Sequence, residues 1–397
     1  MGKKVLILVS VLVFAAAVIY AVFFYEKREI TPLTNSWDTP IPHQEVPQNL
    51  VSLKAEDCGV CHKEHYKEWK LATHAHAWTD LQFQAELKKE SSPFMCINCH
   101  IPLQNQQEFI VTGLINGDIY QPVKEKNPHF DPILREEGIT CASCHVRNGE
   151  IIGANGSELA PHPVKKAPAV LDESLCIGCH NANAVITPTL ACTFETGDEW
   201  KAGPYFGEKN CISCHMQEVE RPLVEGYQAR KSHRHWFTGS GIPKFDTVQT
   251  TIQNGLEFYP RILTKTLSAK DSLNFEFMVK NENAGHRVPS GDPERFILTE
   301  ISVINSKGAV FVKDTFRIGE EWEWYPEAKK ISDNNMYPGE ERTYALNAKL
   351  TQPGDYRVKI KVTKHRLNAK NAAYNKLGDN YPLFITIYDK EIPFAVK

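Results

Sequence analysis

Three things are scarce in this chain of 397 residues: an excess of charge of either sign, cysteine outside one pattern, and long apolar stretches. With 45 Lys and Arg against 48 Asp and Glu the formal net charge is −3, so the sequence gives no reason to expect a nucleic-acid partner. Of 11 cysteines ten share one spacing and only Cys192 stands apart, which rules out a disulfide framework and leaves Cys192 to be read as a small buried thiol. A long apolar run occurs at the N-terminus, from Val5 to Phe24, between Lys3-Lys4 and Tyr25-Glu26-Lys27-Arg28. About twenty such residues suffice to cross a bilayer as a helix. Ala15-Ala16-Ala17 lies inside the run rather than at its end, where a cleaved secretory peptide carries its small residues. The expectation is an uncleaved signal anchor, with residues 1–29 as one transmembrane helix.

Against this background one pattern occurs five times: Cys58-Gly-Val-Cys61-His62, Cys96-Ile-Asn-Cys99-His100, Cys141-Ala-Ser-Cys144-His145, Cys176-Ile-Gly-Cys179-His180 and Cys211-Ile-Ser-Cys214-His215. Two thiols three residues apart lie on one side of a helical turn and can bond both vinyl arms of one porphyrin. The histidine that follows reaches the iron as its fifth ligand. Zinc sites need four ligands each and vary in their Cys and His placement, so an unvarying five-fold CxxCH is a poor zinc pattern. The pattern predicts five covalently bound c-type haems, with the ten cysteines as attachment points and His62, His100, His145, His180 and His215 as proximal ligands. Haem of this type is attached outside the cytoplasmic membrane, so residues 30 to 397 are expected on the periplasmic or extracellular side.

Successive first cysteines are 38, 45, 35 and 35 residues apart, too close for an ordinary apolar core between them. The expected pentahaem domain, residues 51–245, is therefore mostly helix and loop wrapped around stacked haems, whose faces supply the buried apolar surface. Residues 30–50, with Pro32, Pro40, Pro42 and Pro47, read as a tether. From about 246 onward the texture is of strands. Leu273, Phe275 and Phe277 alternate with polar residues, as do Ile297–Val303 and Tyr356–Val362, and turn residues punctuate the runs. About seven strands are expected in a β-sandwich of immunoglobulin-like type over 246–397. The fold class is α+β.

Ten histidines remain for the sixth coordination positions: His43, His65, His74, His76, His129, His162, His233, His235, His286 and His365. The stretch Cys58-Gly-Val-Cys61-His62 through Tyr66, Trp69, Ala72 and His74 resembles the first haem segment of the multihaem cytochrome c superfamily, in particular the tetrahaem cytochrome that accepts electrons from hydroxylamine oxidation, although Ala72 replaces the usual serine. The resemblance implies His74 as an axial ligand, with His76 as the alternative. Glu137–Cys141 followed by Ala160-Pro161-His162-Pro163 is similar to another part of the superfamily and implies His162. Asn127-Pro128-His129, just before the third motif, offers His129. Cys211–Met216 with the later His233-Arg-His235-Trp-Phe-Thr-Gly resembles the last haem segment and implies His235 or His233. Asn283-Ala-Gly-His286-Arg-Val-Pro-Ser290-Gly resembles a GHxxPTG loop beside haem cores, which leaves His286 either reaching a haem or held within a turn. The five motifs depart from the four of the tetrahaem members, so the ligand pairs are not carried over as a set.

The function expected from these features is electron transport by a membrane-anchored pentahaem cytochrome in an extracytoplasmic respiratory chain. Its partners would be redox proteins, a quinol dehydrogenase or an extracytoplasmic reductase. A multihaem oxidoreductase acting on nitrite, hydroxylamine or a sulfur oxyanion is the alternative and needs one iron open to substrate. A subunit of an extracellular haem filament is the third reading.

Overall fold

A computed structural model describes Gly2 and residues 28–34, 39–89, 94–158, 160–187, 190–244, 255–263, 266–324 and 326–397. The apolar run Val5–Phe24 lies outside them, as do the side chain of Cys192 and the expected boundary at 245/246. Among the described residues no helix is long and apolar enough to cross a membrane.

Residues 28–244 hold the motifs on or beside short helices: Phe94–His100, Cys141–His145, Glu173–His180 and Cys211–His215 carry four of them, while in the first Ala55–Gly59 carries Cys58 and the turn before Lys63 carries Cys61 and His62. A polar side chain fixes the start of two of them, where Asp172 accepts the Ser174 N–H at 2.8 Å and Asn210 accepts the Ser213 N–H at 3.1 Å. Buried apolar side chains here form several small groups. Leu53, Leu103, Leu134, Ala142 and Val146 make one; Phe94, Met95 and Leu114 another; Ala55, Trp69 and Ala75 a third.

This half contains more sheet than a helix-and-loop wrapper would. Phe109–Ile115 and Asp118–Lys126 form a hairpin with Ile30–Thr31 on its edge. Val146–Arg147 and Glu150–Gly153 form a second, extended by Val164–Lys166. Both hairpins turn through Asn-Gly pairs, Asn116-Gly117 and Asn148-Gly149, with positive φ at all four residues. That conformation matches strand twist and favours Asn and Gly, so the two turns were legible as hairpin signals.

The expected tether is not a free spacer from Ile41 onward. Ile41 donates its N–H to Pro102 O at 2.7 Å, and Gln44 and Asn105 exchange hydrogen bonds of 2.9 Å between backbone and amide. Proline excludes helix but leaves carbonyls and neighbouring amides free to pair, and Pro102–Asn105 supplies the partners.

The β-rich C-terminal region has two sheets. One has five strands in the order Thr266–Leu267, Phe384–Val396, Gly354–His365, Phe296–Asn305 and Val310–Gly319. The other has three: Leu256–Ile262, Ser272–Asn281 and Glu341–Lys349. Alternation decides which face each side chain takes. Leu273, Phe275, Phe277 and Val279 from one sheet meet Ile297, Ile301, Val303, Val358, Ile360 and Val362 from the other in a single core. With Glu321–Glu323 and Lys329–Ser332 paired outside them, the region has more strands than the seven expected, because short edge strands carry too few residues to show a period.

The two halves are joined by charged contacts. Arg287 reaches across to Glu199 at 2.8 Å and Glu195 at 3.1 Å, and within its own half to Asp333 at 2.6 Å. Arg366 donates to the carbonyls of Ile242 and Pro243, both at 2.9 Å, and lies beside the buried Asp80, which also takes Lys244 at 2.5 Å.

Candidate functional site

The five motifs converge. Thiols of different motifs come within hydrogen-bonding reach of each other: Cys58 with Cys141, Cys176 with Cys211, and Cys99 with Cys179. These contacts join the first motif to the third and link the second, fourth and fifth, and Cys144 of the third lies near enough to Cys179 of the fourth to act on it, so motifs spread over more than 150 residues lie together.

The histidines sort by which ring nitrogen is engaged. His62, His100, His145, His233, His235 and His286 place Nδ1 against backbone carbonyls of Leu223, Ala77, Ile152, Met216, His233 and Arg287, at 3.2, 2.6, 3.1, 2.7, 2.9 and 2.7 Å. His215 does the same with Thr238 O. A carbonyl only accepts, so Nδ1 carries the proton and Nε2 keeps its lone pair, the tautomer a metal ligand requires. Four others engage Nε2 instead: His76 on Lys70 O, His65 on Ser232 Oγ, His43 on Glu45 and His365 on Thr363 Oγ1.

An imidazole nitrogen lies about 2 Å from a metal that it binds, so two rings on opposite sides of one ion have centres roughly 6 Å apart. Four pairs meet this condition. His62 and His162 are 6.3 Å apart, His180 and His74 6.3 Å, His145 and His235 6.2 Å, and His215 and His286 6.2 Å. Each joins a proximal histidine to one distant in sequence. His65 also lies 6.1 Å from His62, but edge-on at 87° and with Nε2 engaged.

Burial keeps six of the paired rings neutral. It pulls His74 and His235 down to about 3 and His180 and His286 to about 4, and also lowers His62 and His145. A neutral imidazole is the form that binds a metal. His162 has a buried Nδ1 without a partner among the described residues. The donor chemistry therefore fits c-type haem: thiol pairs for attachment, and neutral imidazoles facing each other at the right separation.

His100 differs. No imidazole faces it among the described residues; instead Phe83 lies flat on its ring, with centres 3.5 Å apart and planes 7° apart. The remaining candidates lie elsewhere. His129 rests against His43 at 4.3 Å, and His233, although its Nε2 is free of the carbonyl, has no facing proximal ring among the described residues. The loop of His286 combines both alternatives read from sequence, since the ring is turned toward His215 while its Nδ1 is held by its own loop.

Several positioning residues carry no sequence signal. Gly138, at φ +60°, passes so close to the His74 carbonyl that a Cβ there would lie 2.8 Å from it, and the neighbouring Ile139 N–H bonds that carbonyl at 3.0 Å. Glu68 is buried among Arg221 at 2.6 and 2.8 Å, Arg234 at 2.8 Å and the His235 N–H at 2.9 Å. Burial pushes its carboxyl up, but the hydrogen bonds from Arg221 and His235 outweigh this and hold it below its ordinary value.

Residues 57–146 match the family described as cytochrome c554 and c-prime. Among solved structures the penta-heme cytochrome c552 from Thermochromatium tepidum is similar over 86% of this chain and 98% of its own, with a TM-score of 0.60 at 16% identity. The CARDB domain of a Pyrococcus furiosus protein matches 36% of this chain and 87% of its own at 16% identity, with a TM-score of 0.21. No curated protein sequence matches. The match over residues 57–146 and the CxxCH array fit covalently attached c-type haem, and the solved penta-heme cytochrome shares the fold.

Proposed function

We propose that the chain is a five-station electron carrier, in which each cysteine pair would attach one haem and the facing histidines His62/His162, His180/His74, His145/His235 and His215/His286 would hold four of them. The observation that carries this reading is the set of four facing imidazole pairs at 6.2 to 6.3 Å. Each haem, when bound, supplies an iron that alternates between two oxidation states. The chain orients five of the paired rings through carbonyls that accept hydrogen bonds from their Nδ1–H groups, and burial keeps six of the eight neutral. Thiols of the first and third stations meet, as do those joining the second, fourth and fifth, and Cys144 of the third lies near enough to Cys179 of the fourth to bring the two groups together.

Val5–Phe24 would hold this carrier to the membrane, with residues 30–397 outside the cytoplasm and the haem-bearing part ending near 245. A quinol dehydrogenase or extracytoplasmic reductase is the class of partner that such a placement serves. The test is intact-mass measurement of the mature chain, with five haems expected, followed by low-temperature electron paramagnetic resonance. Four low-spin bis-histidine signals are expected; fewer than four would refute the pairing.

A second reading gains weight from one station. His100 has no facing imidazole among the described residues, so its station is the candidate for exchangeable ligand and for oxidoreductase chemistry on nitrite or hydroxylamine. A high-spin signal that shifts on adding either molecule would support this; five low-spin signals unaffected by both would end it.

A further inference from the structure

Residues 234–238 are fixed at both ends. Arg234 donates its backbone N–H to Gln217 O at 3.0 Å, and the buried Glu68 accepts the His235 N–H at 2.9 Å. At the other end Thr238 donates its N–H to His215 O at 3.2 Å, its hydroxyl accepts from Gln217 Nε2 at 3.0 Å, and its carbonyl faces His215 Nδ1. The turn between these anchors includes Phe237, whose φ is +48°. In that left-handed region a Cβ crowds the backbone, so glycine enters it freely and a bulky side chain only at a cost. A phenylalanine kept there by its surroundings points to a use for the ring at this place.

The ring stands against two of the facing pairs. Its centre is 4.5 Å from that of His74, with the planes at 55°, and 5.8 Å from that of His235, edge-on at 79°. His74 faces His180 at the fourth station and His235 faces His145 at the third, with planes 44° and 29° apart. Phe237 also packs against the group Ala55, Trp69 and Ala75. Trp69 in turn donates Nε1–H to Ile139 O at 2.8 Å, and the Ile139 N–H holds the His74 carbonyl. The two imidazoles differ in what else orients them. His235 has its Nδ1 on the His233 carbonyl at 2.9 Å. Among the described residues no carbonyl takes a proton from the His74 ring, so packing sets its rotation, and Phe237 is the closer of its two ring neighbours. A flat ring with a polar edge and face restricts the angle of a neighbouring imidazole, which an aliphatic side chain of similar bulk does not.

We propose that Phe237 is a positioning residue for the third and fourth stations together: one ring sets the angle at which His74 meets His180 and the angle at which His235 meets His145. The left-handed turn carries the ring to that place, and it leaves the next carbonyl, Thr238 O, on His215 of the fifth station. Three stations thus depend on one short segment. This rests on the haem reading above, in which these imidazoles are axial ligands.

The measurement is low-temperature electron paramagnetic resonance of the full-length holoprotein and its Phe237→Gly, Phe237→Leu and Phe237→Tyr variants, with haem content taken from intact mass. The g values of a low-spin ferric centre follow the angle between its two axial imidazole planes. Phe237→Gly removes the ring and also relieves the backbone. Two low-spin signals are expected to shift in it while the others hold. Phe237→Leu keeps apolar bulk without a ring and should shift the same two, and it tests the proposal even if Phe237→Gly does not fold. Phe237→Tyr keeps the ring and should retain the wild-type signals. If the ring only filled space, Phe237→Leu would restore both signals, and that result would overturn the proposal. Spectra unchanged in all variants, a shift spread over every signal, or Phe237→Tyr behaving like Phe237→Gly would overturn it too. A wild-type chain without haem, or without low-spin bis-histidine signals, would refute the electron-carrier reading and this inference with it, whereas a negative result from the variants refutes this inference alone.

Discussion

Replacing Glu86 by Gln should remove a specific weakness of this protein at neutral and alkaline pH. Glu86, on the helix Leu81–Leu87, faces Glu294 and Asp292 of the C-terminal region across the seam between the halves. Gln82 bridges Glu86 at 3.4 Å and Glu294 at 3.3 Å, and Asn375 approaches Glu86 at 3.4 Å. Burial first, then the charges of Asp292 and Glu294, push the Glu86 carboxyl up to about 8, against the smaller opposing pull of Gln82 and Lys89. An unfolded glutamate titrates near 4.3, so between about pH 4.3 and 8 the unfolded chain has lost a proton that the folded chain keeps. Stability contributed by this group is therefore highest at low pH and falls as pH rises through that window. The full difference would be worth roughly 5 kcal/mol at 1.36 kcal/mol per unit. Because Glu294 is itself pushed up to about 7 and is largely uncharged over most of that window, the repulsion it adds is reduced and a loss of ~2 kcal/mol is expected from Glu86 alone. Glu86→Gln keeps the shape and the neutral charge at every pH. Urea denaturation of wild type and variant from pH 5 to pH 8 should show the variant gaining stability relative to wild type as pH rises. A constant difference across that range would refute the assignment.

Three further outcomes follow from the same structure. Glu68→Ala leaves Arg221 and Arg234 facing each other without their shared carboxylate, and a loss of about 3–5 kcal/mol is expected by denaturant titration. Phe277→Ala, in the middle of the C-terminal core and fully buried, should cost about 3–5 kcal/mol in the same assay while leaving the visible absorption of the folded protein unchanged. His286→Ala removes the ring facing His215 and should convert one low-spin paramagnetic signal to high spin while the other pairs keep theirs; an unchanged spectrum would show that His286 is not a ligand.

What the sequence determined by itself is whatever depends on neighbours along the chain. Two thiols and a histidine within five residues are a complete attachment chemistry, readable without a fold. The alternation Leu273, Phe275, Phe277 fixes a buried face because successive side chains of a strand point to opposite sides. The Asn116-Gly117 and Asn148-Gly149 hairpins were equally local and equally available. Tertiary structure alone decided which histidine faces which. Nothing beside His74 or His162 along the chain names a partner, and only the folded chain brings one to His180 and the other to His62. It also decided that His100 meets the ring of Phe83, with no imidazole facing it among the described residues. These are relations between groups remote along the chain. No residue type or spacing encodes them, because each arises where separate segments are packed together and lose water at the same place.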